Sequence, residues 1–416
     1  MQLKRVVVTG IGALTPIGNN LAEYWQALQS GLSGANLITL FDATKFKTRF
    51  ACELKGFDPL NFLDRKEARK LDRFTQIALV TSDQAISDAG ITKDNADPDR
   101  VGVVFGSGIG GLITFQEEVM AFAKGDGTPR FNPFFIPKMI LDIAPGHISM
   151  RHGFRGPNFS AVSACASSSN AMMEAFNLIR LGKADIMVTG GSEAVISEAG
   201  MGGFNAMKAL SERNDDYATA SRPYDKNRDG FVMGEGSGVL IFEELEHAQA
   251  RGAKIYCEIA GAAATADAYH LTAPHPDGLG AMKVMQSALA DAGMKPEDID
   301  YINTHGTSTP IGDGAEIKAV QNVFGEHAYN LNISSTKSMT GHCLGAAGAI
   351  EIIACIMAVN YNIIPPTINH TTLDELIDEK LNFTFNKAQQ RTVKAALSNT
   401  FGFGGHNAAV IVKKFV

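Results

Sequence analysis

Short β-branched runs that end in small-residue turns recur along the chain: RVVVTGIGAL at its start, VGVVFGSG from Val101, ADIMVTGG from Ala184 and GSGVLIFEEL from Gly236. Such runs predict strands, because Val and Ile pack well on a pleated surface and the glycines supply the turn. Between them the apolar period changes. In Ser168 to Leu181, Met172, Ala175, Phe176 and Ile179 recur at helical spacing while Asn170, Glu174 and Arg180 fall mostly elsewhere, which predicts an amphipathic helix. Alternating periods of this kind predict an α/β protein. After HAQARGAKIYCEIAG the pattern starts again and runs to VIVKKFV, placing a lobe boundary between 1–252 and 253–416. Two segments echo one another, NFSAVSACASSSNAMMEAF and NISSTKSMTGHCLGAAGAIEIIACIM. Each reads as a strand, a small-residue turn and a helix that begins with small residues, so an internal duplication is expected, with the two helix starts meeting at one site.

At 416 residues and 45% hydrophobic, the chain can bury a substantial core as one large two-lobed domain or two ordinary ones. Its 42 glycines cluster beside apolar runs without a triplet repeat, which excludes a collagen-like chain. A net charge of -7 provides no general field to collect nucleic acid, so none is expected as a partner. Uninterrupted apolar runs fall short of the roughly 20 residues a bilayer requires, and MQLKRVVVTG enters a strand without a leader pattern, so a cytoplasmic protein without a membrane partner is expected. Five scattered cysteines, with no CxxC and no zinc spacing, predict neither a disulfide framework nor a metal site.

Cys165, in Ser-Ala-Cys-Ala-Ser-Ser-Ser, falls between a strand end and a helix start. A helix N-terminus favours a thiolate and should lower the thiol pKa, although a buried inert cysteine would look alike from composition. His305 lies in Asn-Thr-His-Gly-Thr-Ser-Thr, a polar turn after the strand IDYIN, and could be a satisfied loop residue on its own. His342, in Lys-Ser-Met-Thr-Gly-His, again sits between a strand and a helix. One Cys and two His at strand-to-helix junctions are what a thiol site at strand ends requires. Two neutral imidazoles suit the stabilisation of an enolate oxygen as carbon dioxide leaves a β-keto acid thioester. Lys337 could set their electrostatics, with Glu351 as its counter-charge. In Asn399 to Asn407, glycines around Phe403 would let that ring swing and let a backbone N–H approach a substrate oxygen. Gly106 to Gly111 formally fits GxGxxG, but the acidic residue a dinucleotide site needs at a second strand end is missing, and Ile109 is better placed to line an apolar tunnel.

With Ser-Ala-Cys-Ala-Ser-Ser, Asn-Thr-His-Gly-Thr-Ser-Thr-Pro, Lys-Ser-Met-Thr-Gly-His-Cys-Leu-Gly-Ala-Ala-Gly and Phe-Gly-Phe-Gly-Gly in this order, the chain resembles the β-ketoacyl-acyl carrier protein synthases over nearly its whole length. It looks most like the type II elongating members of bacterial fatty acid synthesis. The resemblance implies a thiolase-like α/β fold of two similar halves, with mixed sheets layered between helices as α-β-α-β-α, and a homodimer. It implies that Cys165 carries the acyl chain, that the N–H groups of Cys165 and Phe403 form an oxyanion hole, and that His305 and His342, supported by Lys337, assist decarboxylation of malonyl carrier protein. By the same match Thr272, Thr307 and Thr309 would bond the phosphopantetheine arm, Phe403 would gate the site with Phe401 beside the substrate, and Ile109 would limit or open the acyl pocket. Lys66, Arg69 and Lys70, helped by Lys208, would attract the acidic carrier protein. No cofactor is implied, since the carrier brings the phosphopantetheine. Ser163 and His406 stand where Thr is frequent in the family. A thiolase would need a second Cys in the loop GFGFGGHN, which has none; a non-catalytic chain-length factor would not need Cys165, both His and Lys337. A polyketide ketosynthase would carry nearly the same motifs.

Overall fold

A computed structural model describes residues 3–416. Ten strands form one sheet: β1 (Val6–Leu14), β2 (Val101–Gly106), β3 (Asn158–Ala161), β4 (Ile186–Glu193), β5 (Gly236–Glu244), β6 (Cys257–Ala266), β7 (Tyr301–Asn303), β8 (Asn332–Ser334), β9 (Ala395–Gly402) and β10 (His406–Lys413). Their spatial order is β8-β7-β9-β10-β6-β1-β5-β4-β2-β3. Read outward from the centre, the first five strands and the last five repeat one arrangement. In each set the three outer strands pair in parallel and the two inner pairings are antiparallel. The sets join edge to edge where Val6, Val7 and Val8 of β1 face Ile259, Glu258 and Cys257 of β6. The two expected layers of strands are thus present as two five-stranded sets, hydrogen-bonded to one another along one edge.

Helices complete the layers. On one outer face α1 (Arg73–Ala89) packs on β1 and β5, with α3 (Ile143–His152) beside it; between them in sequence lies α2 (Leu112–Lys124), which follows β2. On the opposite outer face lie α5 (Leu279–Ala292) and α6 (Gly312–Phe324). The middle layer is the pair α4 (Ser167–Arg180) and α7 (Ala347–Tyr361), each touching strands of both sets. These are the two helices of the echoing segments, and small residues at their starts are a packing requirement. A Cβ added to Gly348 would stand 2.0 Å from Ser169 Oγ, and the Ala349 N–H donates to Ser168 Oγ at 3.0 Å. The two first turns therefore touch directly.

The stretch Leu344–Tyr361 has 18 residues of mean hydropathy 1.7, long and apolar enough by composition to cross a membrane, yet 89% of it is buried inside the protein. Enclosure between two strand sets explains why α7 is apolar all round.

Candidate active site

Each middle helix is preceded by a short 3₁₀ turn, Ala164–Ala166 before α4 and Leu344–Ala346 before α7. Both turns open on a residue in the left-handed region, Ala164 at φ 50° and Leu344 at φ 43°, where a side chain costs on the order of 1–3 kcal/mol. Around Ala164 that strain is held by local bonds: the Ser163 N–H donates to Ser167 Oγ at 2.9 Å, Ser167 Oγ donates to the Ala164 carbonyl at 2.7 Å, and Asn170 Nδ2 donates to Ser163 Oγ at 2.6 Å. Ser163 thus serves the nucleophile turn from its edge. The turn aims Cys165 at the second half, where the β9–β10 hairpin closes over it. Gly402 lies so near that a Cβ there would be 2.7 Å from the Ser163 carbonyl and 3.1 Å from Cys165 N.

His342 Nε2 lies 3.0 Å from Cys165 Sγ. The His305 and His342 rings stand edge to face, centroids 5.2 Å apart at 87°, and Phe401 lies 5.7 Å from the His305 ring. His342 is fixed by its backbone: its N–H donates to the Val232 carbonyl at 2.7 Å and its carbonyl accepts from Gly234 N–H at 2.9 Å. His305 is fixed by a carboxylate, Glu316, which accepts the His305 and Gly306 N–H groups, each at 2.9 Å, and Asn399 Nδ2 at 3.2 Å. Among the described residues neither His Nδ1 has a hydrogen-bond partner, so none of them locks the tautomer of either ring from that side. Behind the rings, fully buried Lys337 pairs with Glu351 of α7.

The electrostatics depart from the helix-start expectation for Cys165. Burial pushes its thiol up to about 12, against the pull of the Lys337 charge and of the Phe403 and Cys165 N–H groups. Burial, with Lys337 beside them, holds His305 and His342 well below the usual imidazole range. The resting pair is consequently a neutral thiol against a neutral imidazole. Alkylation of Cys165 by iodoacetamide should therefore keep rising as pH passes the ordinary thiol value of about 8.5. A plateau reached already near about pH 7 would instead reveal a preformed thiolate–imidazolium pair.

Cys165, His305 and His342 offer ligand atoms within 4.8 Å of one another, a spacing that alone would admit a zinc ion. The buried positive charge of Lys337 beside them works against a dication. Asn303 Oδ1, Glu351 Oε2 and Asn399 Oδ1 are each buried without a hydrogen-bond partner among the described residues.

One cavity of about 530 Å³ joins these groups. Its walls include Ile109, Cys165, Thr272, His305, Thr307, Thr309, His342, Phe401 and Phe403, with Lys208 at the mouth. Lys337 stands behind the wall.

Residues 3–248 match the family described as Beta-ketoacyl synthase, N-terminal domain, and residues 256–371 that described as Beta-ketoacyl synthase, C-terminal domain. The chain belongs to the beta-ketoacyl synthase family. A 3-oxoacyl-[acyl-carrier-protein] synthase 2 of Synechocystis sp. is 50% identical over 415 residues, covering 100% of this chain and 99% of that protein. A solved beta-ketoacyl synthase from Burkholderia phymatum superposes with a TM-score of 0.92 at 34% identity, covering 99% of this chain and 100% of the other. A type II polyketide ketosynthase solved with its acyl-carrier protein superposes at 0.90 with 32% identity, covering 100% of both chains. The thiolase-like architecture of the family is the one described above.

Within this beta-ketoacyl synthase Arg69 and Lys208 border different cavities. Lys66, Arg69 and Lys70 are exposed on and just after the short helix Arg65–Ala68. Arg69 lines a second cleft of about 660 Å³ together with Arg65, Arg73 and Lys138, whereas Lys208 borders the catalytic cavity. Arg65 and Lys138 are not among the sequence-based candidates; Lys138 joins that cleft only through folding, whereas Arg65 lies on the same short helix as Lys66. Glu316 is not among them either, although Asp313, Glu316, Ile317 and Val320 share the buried face of α6, and a carboxylate on an apolar stripe is a legible signal. His406, exposed beside Gly404, stands outside the cavity lining.

Proposed function

We propose that this protein elongates acyl chains by decarboxylative condensation of an acyl and a malonyl group, each carried on the phosphopantetheine of acyl carrier protein, in fatty acid synthesis. The observation that carries this reading is the 3.0 Å approach of His342 Nε2 to Cys165 Sγ, with His305 as a second imidazole on the same cavity. In the first step Cys165 Sγ attacks the acyl thioester; its proton passes to His342 Nε2 and on to the departing phosphopantetheine sulfur. The N–H groups of Cys165 and Phe403 receive the oxyanion. In the second, the malonyl carboxylate leaves as carbon dioxide and its bonding pair moves into the thioester carbonyl, whose oxygen accepts from Nε2–H of His305 and, once the His342 ring proton has shifted from Nδ1 to Nε2, from Nε2–H of His342. The enolate carbon then attacks the acyl-Cys165 thioester, the new carbon–carbon bond replaces the carbon–sulfur bond, and Cys165 leaves as a thiolate that holds the charge the malonyl carboxylate brought and takes up one proton from solvent. Depressed imidazole pKa values suit both rings to act as neutral donors. Thr272, Thr307 and Thr309 line the arm's route, Phe403 gates it, and Ile109 borders the acyl end. No further cofactor is needed.

The half carrying Cys165 spans 1–252 and the half carrying both histidines spans 253–416, a division supported by the repeated strand order. A homodimer is supported by the edge strand β3, where Phe159 and the following Val162 are 40% and 57% exposed. Phe115, Phe122, Phe131, Phe134 and Ile136 are exposed too. An open strand edge together with so many exposed apolar side chains asks for cover. Carrier docking involves Lys66, Arg69, Lys70 and Lys208. The greater identity to the Synechocystis protein than to the polyketide ketosynthase supports fatty acid over polyketide synthesis.

Intact-protein mass spectrometry tests the reading. Mixed with acyl carrier proteins bearing chains of several lengths, the protein should gain one acyl mass on Cys165 and lose it on addition of malonyl carrier protein, as a product two carbons longer appears. Absence of any adduct would leave a non-catalytic partner as the reading.

A further inference from the structure

The loop Ser107–Gly111 has the geometry of an anion cradle: it follows β2, opens α2, and turns its backbone N–H groups inward. The anion it holds is a side chain of the protein. Glu193, fully buried at the end of β4, accepts the Gly108 N–H at 2.7 Å and the Gly345 N–H at 3.0 Å on Oε2. On Oε1 it accepts Ser107 Oγ at 3.0 Å, Ile109 N–H at 3.2 Å and Gly110 N–H at 3.3 Å. No cation pairs with it among the described residues. The fit is close: a Cβ on Gly108 would be 2.8 Å from Oε2, and one on Gly345 would be 2.7 Å from it.

Two segments of the site thereby meet on one carboxylate, and the nucleophile turn lies against one of them. Ile109, whose N–H is held, borders the cavity at Cys165 and packs in the apolar cluster of Cys165, Val195, Met201, Phe231 and Leu344. Gly345 belongs to the turn that follows His342. Gly108 lies against the nucleophile turn, where the same added Cβ would be 3.1 Å from the Ala164 carbonyl. We infer that Glu193 is a positioning residue that fixes the Ile109 wall against Cys165 and so sets how sharply the enzyme discriminates among acyl chain lengths. The inference rests on the acyl-transfer reading above. A wall loop held by four donors, with a fifth from the turn after His342, yields less to a chain of the wrong length than a loosened one, and close-packed pockets draw their selectivity from that stiffness.

The test compares acyl-enzyme formation at Cys165, as kcat/KM across short, medium and long acyl carrier proteins, in wild type, Glu193→Gln and Ser107→Ala. Glutamine keeps the shape but turns an N–H₂ toward backbone donors on one side, whichever way it flips. Its chain-length profile should flatten by about fivefold or more between the best and worst chains, less than the roughly tenfold or more one methylene can command. Ser107→Ala removes one donor and leaves the carboxylate; its profile should flatten in the same direction by about twofold, and it decides the matter if Glu193→Gln does not fold. A fall by one common factor at every length, or an unchanged profile, would overturn the inference. A wild-type protein that forms no acyl adduct at all would instead overturn the acyl-transfer reading.

Discussion

Cys165→Ala should lose acyl transfer and condensation by on the order of 10⁴–10⁶-fold, the loss seen when a covalent nucleophile is deleted, while the protein stays folded. The side chain is nearly buried in an apolar cluster, and exchanging a thiol for a methyl there costs about 1 kcal/mol. Both imidazoles and Lys337 remain, so the variant should still bind malonyl carrier protein, and His342 loses only its 3.0 Å partner. Rates of acyl-enzyme formation and of chain elongation, with a thermal midpoint for the fold, check this. Elongation persisting within about tenfold of wild type would mean that the acyl chain never rests on Cys165.

Cys165, His305 and His342 could be read from the sequence because each lies at a strand-to-helix junction with small neighbours, a local pattern. The fold could be read for the same reason: β1, β2, β4 and β5 are short buried strands of Val and Ile, and the echo of α4 and α7 resides in their own residues. Glu316 left a local signal on the apolar stripe of its helix, whereas Glu193 could not be found in this way. Its role is to receive backbone N–H groups, and those come from residues 85 positions earlier and 152 later. The protonation of Cys165 escaped for a different physical reason. A helix start fixes the sign of one influence on the thiol, but how deeply the sulfur is buried depends on the β9–β10 hairpin and on the second half of the chain, and burial is the larger effect. The basic lining of the second cleft was only partly legible, since Lys138 joins Arg65 and Arg69 there from a separate helix.

Lys337→Ala should be the most destabilising single change in the site, because it strands Glu351, whose side chain is 2% exposed. Breaking a buried ion pair from one side costs about 3–5 kcal/mol. Burial already pushes the Glu351 carboxyl up to about 7 despite Lys337, and removing the lysine can only raise it further. A carboxyl whose folded pKa exceeds its unfolded value of about 4.3 is protonated in both states in acid and costs nothing there. As pH rises the unfolded chain ionises first, so stability falls between the unfolded and folded pKa values. The deficit of Lys337→Ala should thus be smallest below about pH 4 and grow through neutrality, as urea melts at several pH values would record. Adding Glu351→Gln should recover most of the stability at neutral pH and flatten the slope. Catalysis should respond differently. Lys337 also holds both imidazoles down and draws the thiol down, so the restored double variant should have more readily protonated histidines and a malonyl decarboxylation profile whose acid limb lies at higher pH. Recovery of stability with an unmoved acid limb would reduce Lys337 to a partner for Glu351; a moved limb makes its charge part of how His305 and His342 stay neutral.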